Sequence, residues 1–403
     1  MIVPLKRGRG HNDPMHVCHV ITRLIVGGAQ ENTILTCEGL HERGHRVTLI
    51  SGPTRGPEGS LVDRARRGGY AFIELRELIR PVHPWMDARA RRLLCMEFQR
   101  LRPDIVHTHS SKAGILGRLA AADAGVPHIV HTIHGMSFNR TQSWWTRRLF
   151  AWLEKTAARR SEAIVAVADA MIEQTVAAGI CGREKLQTIY SGIEVEQFTP
   201  TCYDRDAIRR TCNVGADEVV VGTIARLFRR KGYEQLIPIM AEVGRRLPRV
   251  RFVWVGDGAQ RAEYEAELAR LGLRERTTLA GLVPPERVPG MLAGFDILAH
   301  TSQWEGLPRG VVQALLMHVP AVAFDIDGTP EVVLGGQTGR LVPLGDLAGF
   351  AAAVVELAAD PELRQRMGGA GRALCLPRFD CRRMVDQLEA LYERLLGCPA
   401  RAG

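Results

Sequence analysis

Short apolar runs alternate with amphipathic segments along the chain. Residues 17–22 read as a buried strand, 29–43 as a helix stopped by Gly44, and 46–51 as the next strand. Continuous apolar runs between turn residues mark buried strands, while apolar positions recurring every three or four residues mark helices. Further strands are predicted at 104–107, 128–132 and 163–167, with helices over 111–123 and after Asp169, which is placed to cap the second. A second series runs through strands at 219–224, 251–255, 277–280, 295–299 and 321–324. Strand–helix–strand units of this length predict parallel sheets. Pro238 falls inside a helix of the second series, so a kink is expected there. Near the end, Asp360 caps a helix over 361–373, and Phe379 opens a last helix to 395 with Met384, Leu388, Leu391, Tyr392 and Leu395 on one face.

Composition narrows the class. A chain of 403 residues with 46% hydrophobic content is long enough for two domains with cores of their own. The formal charge of +9 suits a negatively charged partner, such as a nucleotide phosphate or an anionic lipid. Nine scattered cysteines without a Cys-x-x-Cys pair predict reduced thiols and a cytoplasmic setting. No run reaches transmembrane length, and the basic first fifteen residues lack an apolar signal core, so secretion is not expected.

In the first half, Gly27 and Gly28 follow the 17–22 strand. A dinucleotide site would need Gly-x-Gly-x-x-Gly and an acid ending the second strand. Ser51-Gly52-Pro53 stands there instead, so NAD binding is not expected. His107, His109 and His134 lie near strand ends, where open parallel sheets bind ligands. Their wide spacing, without thiol or acidic partners, argues against zinc. Residues 137–160 combine Trp144, Trp145 and Trp152 with Arg147, Arg148, Arg159 and Arg160. Two readings stand: a core-packed helix with a solvated basic face, or an aromatic and basic surface that meets an anionic membrane from the cytoplasmic side. No nucleic-acid recognition module is apparent.

The most informative stretch is 301–332. It follows the 295–299 strand and gives Glu305 ahead of a helix with Pro308 in its first turn, then the 321–324 strand. Thr329-Pro330-Glu331 is a cap, a first-turn proline and an early acid, so another helix is expected there. Glu305 and Gln313 are eight apart, which on a helix puts them ~80° from one another. Asp325 and Asp327 stand between strand and expected helix, a context that argues against a metal-binding pair.

This stretch resembles the signature of the retaining glycosyltransferases of family 4, with its two glutamates eight apart and its Gly-Thr/Ser-Pro-Glu turn. Glu305 takes the first position, and Gly328-Thr329-Pro330-Glu331 the turn; Gln313 replaces the second glutamate. Residues 225–232 resemble the family's Gly-Arg-Leu-x-x-x-Lys-Gly segment, with Ala225 for the first glycine. His134-Gly135 resembles its donor-sugar contact, and residues 190–194 its Asn-Gly-Val/Ile-Asp segment.

The resemblance implies a GT-B fold: α/β, with two Rossmann-like domains facing across a cleft. It divides the chain into a basic tail at 1–15, an acceptor-side domain at 16–197, a nucleotide-sugar domain at 198–377 and a final helix at 378–403 that crosses back, with a hinge near Pro377. It implies transfer of a sugar, with retention, from a nucleotide-diphosphate donor, UDP by family frequency, to a glycan or lipid-linked acceptor. Arg226 and Lys231 would hold the diphosphate, so no metal is expected. Cations aimed at a leaving group that gains charge stabilise the transition state more than the ground state. Glu305 and His134 would contact the donor sugar, and Gly256, Asp257, Val283, Gly306, Leu307 and Gln313 would line the rest of the donor site. Gly27, Gly28, His109 and Lys112 are acceptor or phosphate-loop candidates. Retaining glycosidases use two carboxylates about 5 Å apart; no such pair stands out, and front-side attack is the implied mechanism. Gln313 accepts without charge assistance, which predicts nucleotide binding weaker by about 1 kcal/mol. A decayed binding scaffold and a sugar-nucleotide epimerase are the competing readings.

Overall fold

A computed structural model describes residues 13–56, 58–138 and 142–398. Most of the expected basic tail therefore lies outside the described residues. The chain forms two compact units. The first takes the chain to Arg55, Ser60–Gly192 and the segment from Cys381; the second takes Gly56–Gly59 and Ile193–Asp380.

In the first unit the elements run β1 (His16–Ile21), α1 (Gly28–Glu42), β2 (Arg46–Ser51), α2 (Val62–Arg67), β3 (Ala71–Glu74) and α3 (Pro84–Leu101). They continue as β4 (Ile105–His109), α4 (Ser111–Asp123), β5 (His128–Ile133), α5 (Trp144–Ala158), β6 (Ala163–Ala166), α6 (Asp169–Ala177) and β7 (Leu186–Thr188). The second unit holds α7 (Arg205–Thr211), β8 (Val219–Ile224), α8 (Tyr233–Arg246), β9 (Val250–Val255), α9 (Arg261–Arg270), β10 (Thr277–Gly281) and α10 (Val288–Ala293). Then follow β11 (Ile297–His300), α11 (Arg309–Leu316), β12 (Ala321–Asp325), β13 (Gly339–Pro343), α12 (Leu347–Ala359) and α13 (Pro361–Arg378). The last helix, α14 (Cys381–Leu395), belongs to the first unit.

The sheets are parallel, in the orders β3-β2-β1-β4-β5-β6-β7 and β10-β9-β8-β11-β12-β13. Their central strands are buried on both faces, which is why they read as unbroken apolar runs. In each sheet the order reverses once, between β1 and β4 in the first and between β8 and β11 in the second. Ligands bind outside the carboxyl ends of strands at such a reversal.

Several details depart from the sequence reading. Thr329–Glu331 makes one 3-10 turn and no helix follows; the chain goes on to β13. Glu305 sits in the loop before α11, so the helical angle between it and Gln313 does not apply. Asp169 lies inside the first turn of α6, and its carboxylate accepts from Thr188 and Tyr190 instead of capping. Pro377 lies in the last turns of α13, ahead of the unit border at Asp380 and Cys381.

The helix α14 packs along α1, burying Met384, Leu388, Leu391 and Tyr392. Its polar edge is also enclosed, since Glu389 accepts from Arg43 at 2.6 Å and pairs with His45 at 2.8 Å. On the other side, α5 is attached through charge. Arg118 of α4 and Glu154 of α5 meet at 2.5 Å with both side chains buried, and Ser137 donates to the second carboxylate oxygen. The core-packed reading fails for the tryptophans of α5. Its buried residues are Glu154, Ala157 and Ala158, whereas Trp144, Trp145, Leu149 and Trp152 are more than half exposed.

Breaking a buried pair leaves an uncompensated charge, but replacing both partners by apolar groups is often neutral. Arg118→Met should destabilise the fold by about 3–5 kcal/mol. The Arg118→Met/Glu154→Met double variant should recover most of that loss in urea unfolding.

Candidate active site

In the second unit, loops from four neighbouring strands converge at the carboxyl edge of the sheet. The loop after β8 carries Arg226 and ends in a 3-10 turn, Arg229–Lys231. Gly232 follows at φ 76°, and a side chain there would lie 1.8 Å from the Thr301 carbonyl oxygen. Gly256, at φ 135°, meets the Ala225 carbonyl just as closely, at 2.1 Å from an added Cβ. These two glycines let the loops after β9 and β11 press against the loop after β8. Hydrogen bonds complete the seam: Leu227 N–H donates to Asp257 C=O at 3.0 Å, and Gln303 N–H to Arg230 C=O at 3.1 Å.

Lys231 and Glu305 meet across this seam. The ammonium lies 2.5 Å from Oε1, with the side chains 22% and 13% exposed. His300, at the end of β11, brings Nε2 to 3.4 Å from the same oxygen, long for a hydrogen bond. Asp327, at φ 44°, accepts the Glu305 backbone N–H at 2.8 Å. Burial pushes the Glu305 carboxyl up, but Lys231 and His300 together hold it well below the ordinary carboxylate range. Arg226 is 39% exposed and faces Glu58, at 3.4 Å, from the short segment that clusters with this unit. Its neighbours Arg229 and Arg230 point elsewhere: Arg229 reaches Glu263, and Arg230 covers the Trp304 ring.

The other donor-side candidates border the same edge. Gly306 and Leu307 are buried beside Glu305, Gln313 is half-buried on α11, and Val283 is half-buried just beyond β10. Asp257 is engaged locally, accepting from Gly258 N–H at 2.7 Å and Arg261 at 2.9 Å.

The first unit has its own reversal site. Thr22, after β1, and Ser110, after β4, are hydrogen-bonded through their hydroxyls at 2.9 Å, and Thr22 accepts the Ala113 N–H. Gly27 caps α1 and Gly28 opens it. Lys112 is tied to Asp87 at 2.5 Å and to the Pro81 carbonyl, so it is held away from a ligand unless that pair opens. His109 bonds to His134 at 3.1 Å and to His19 at 3.0 Å. His107 lies inside β4, not at its end, with its nitrogens engaged by Tyr392 and Thr132. His19, His107 and His109 are close enough to be considered as metal ligands. The nitrogens of His107 and His109 are already hydrogen-bonded, and no carboxylate or thiolate joins the group among the described residues.

The roles of three residues of this geometry are not legible in the sequence. His19 sits inside an apolar strand, and its partner is ninety residues away. His300 and Asp327 gain their meaning only from loop packing around Glu305. Asp327 was read only as an unlikely metal ligand.

The two units, with parallel sheets of seven and six strands, have the GT-B fold of solved glycosyltransferase structures. The family model described as Glycosyltransferase Family 4 matches residues 26–197, and that described as Glycosyl transferases group 1 matches residues 204–374. The chain belongs to glycosyltransferase family 4. It is 27% identical over 93% of its length, and 96% of the relative's, to a UDP-Gal:alpha-D-GlcNAc-diphosphoundecaprenol alpha-1,3-galactosyltransferase of Escherichia coli. It is also 27% identical to a GDP-mannose-dependent alpha-(1-6)-phosphatidylinositol monomannoside mannosyltransferase of Mycolicibacterium smegmatis, over 87% of this chain and 90% of that one. Among solved structures, HepE of Anabaena in complex with UDP and glucose superposes with a TM-score of 0.81 at 22% identity, covering 94% of this chain and 100% of its own. The protein is a glycosyltransferase.

The Glu305 carboxylate, held low in the folded state, contributes stability that is present above its unfolded value and lost as pH falls through its folded one. Removing Lys231 leaves burial as the main influence, which raises the carboxyl and reverses that sign. Lys231→Ala should therefore cost about 3 kcal/mol at pH 7 and clearly less at pH 4. Urea unfolding at the two pH values checks it; an equal loss at both would contradict the buried pair.

Proposed function

We propose that the protein transfers a hexose from a UDP-sugar to a glycan or lipid-linked acceptor, with retention at the anomeric carbon and without a metal ion. The observation that carries this is the Lys231–Glu305 pair at the β8–β11 reversal, with Arg226 on the same loop. In the proposed reaction Arg226 and Lys231 bind the diphosphate. Their charge counts most as the sugar–phosphate bond breaks and the leaving group becomes more negative. Glu305 is held ionised, able to accept from donor-sugar hydroxyls. Gln313 takes the ribose, while Gly256, Asp257, Val283, Gly306 and Leu307 frame the nucleotide. His134 is assigned to the donor sugar, and Gly27, Gly28, His109 and, once released from Asp87, Lys112 to the acceptor or phosphate side. Attack from the leaving-group face, with a donor phosphate oxygen taking the acceptor proton, needs no second carboxylate. The galactosyltransferase relative favours UDP and a lipid-linked acceptor; the mannosyltransferase relative makes GDP the competing donor base.

The acceptor side of the proposal includes an anionic membrane surface. No helix among the described residues is long and apolar enough to cross a membrane. The helix α5 instead presents Trp144 and Trp145 stacked at 3.6 Å, with Arg148 over Trp144. Exposed tryptophan beside arginine suits the headgroup region of an anionic bilayer.

Thermal unfolding with UDP, GDP and ADP in the presence of a chelator tests the donor site. UDP should stabilise by about 2.7 kcal/mol at a hundred times its dissociation constant. Arg226→Ala should abolish the shift, and Gln313→Glu should tighten binding roughly fivefold. No shift with any nucleotide would favour a decayed binding scaffold, with Gln313 the first suspect. Separately, the protein should co-sediment with anionic vesicles at low salt, and Trp144→Ser/Trp145→Ser/Trp152→Ser should release it. Equal sedimentation of the two would remove α5 from the membrane reading.

A further inference from the structure

Three imidazoles form an unbroken hydrogen-bonded row across three adjacent strands of the first sheet. His19 stands in β1, His109 ends β4, and His134 follows β5. His19 Nδ1 lies 3.0 Å from His109 Nε2, and His109 Nδ1 lies 3.1 Å from His134 Nε2. His19 and His109 are fully buried, whereas His134 is only half-buried. His107 stacks on His109 with centroids 4.4 Å apart but stands outside the row, its own nitrogens held by Tyr392 and Thr132.

Burial keeps the inner rings neutral. The His19 imidazole is pushed down to about 3, and burial, reinforced by the surrounding histidines, drives His109 well below its ordinary value. A neutral imidazole has one N–H and one lone pair. Each bond in the row consumes one of each. If His109 carries its proton on Nδ1, it donates to His134 and accepts from His19, so both neighbours also carry theirs on Nδ1. If His109 carries its proton on Nε2, the same count puts every proton on Nε2, and the His19 Nε2–H is then buried without a partner among the described residues. An orphaned buried N–H is the rarer and costlier case, so the protons belong on Nδ1. Mixed arrangements leave two lone pairs or two N–H groups facing one another in a buried site, which costs the hydrogen bond and adds repulsion.

We propose that His19 and His109 are positioning residues that lock His134 into one tautomer, the three rings always carrying their protons on the same nitrogen. His134 then carries its proton on a preset nitrogen when the donor sugar arrives. The functional consequence rests on the assignment of His134 to the donor sugar; the tautomer row does not.

Long-range nitrogen–proton NMR of the unliganded full-length protein, at pH 8 with the histidines labelled, reads each ring directly. The expected result is three neutral rings of one tautomer. His19→Phe, which removes only the inner partner, should move the His134 nitrogen signals toward a tautomer average; His19→Asn serves the same purpose if the phenylalanine variant does not fold. Two tautomers within the wild-type row, a His134 signal unmoved in the variants, or one equivalent of zinc bound to the row by elemental analysis would overturn the proposal. Adding nucleotide-sugar separates the two ideas. If it leaves the His134 signals in place, the sugar assignment fails while a shared tautomer stands.

Discussion

The ion pair between Lys231 and Glu305 joins the two sides of the second sheet's strand reversal. Lys231 ends the loop after β8, and Glu305 sits in the loop after β11. Neither side chain is open to water enough for solvent to replace its partner. Desolvating two charges is costly, and attraction offsets that cost only when the geometry is good and the remaining polar atoms are bonded. Here Asp327 fixes the Glu305 backbone, and Gly232 and Gly256 allow the loops the close approach that the pair requires. The sequence places these residues far apart, and sheet topology brings them together. The same arrangement holds a cation and a carboxylate together at the carboxyl edge of the sheet.

The first unit solves the corresponding problem without charge. Its reversal is closed by hydroxyls, Thr22 to Ser110, and Ser110 adopts φ 61° to make that turn. A non-glycine residue in that region is uncommon and persists where its surroundings hold it. Beside it, burial keeps the imidazoles neutral, so their hydrogen bonds are directional without being ionic. One reversal is thus built around an ion pair, while the other offers neutral donors and acceptors.

Much of this was legible in the sequence because it is local or periodic. The ranges of β2, α4 and β8 follow from apolar runs and caps, and Arg226, Lys231 and Glu305 stand at strand ends in a readable pattern. What failed depended on tertiary context. Thr329-Pro330-Glu331 has every sign of a helix start, yet the chain leaves after one turn because β13 must pair with β12. Asp327 reads in sequence only as an argument against a metal pair, and its bond to the Glu305 N–H depends on loop packing. His19 looks like a strand interior residue, and its role arises only when β1 and β4 lie side by side.

The outward tryptophans of α5 follow from how its inner face is satisfied. A helix normally buries its largest apolar side chains, because each contributes about 1.5–3 kcal/mol on leaving water. In α5 the inner positions are taken by Glu154 and two alanines. Glu154 has to be inside because Arg118 is inside, bonded to the Gly114 carbonyl within α4. The small alanines let α5 approach closely, and no room is left on that face for an indole. The aromatic side therefore faces out, and the fold of this unit leaves it exposed.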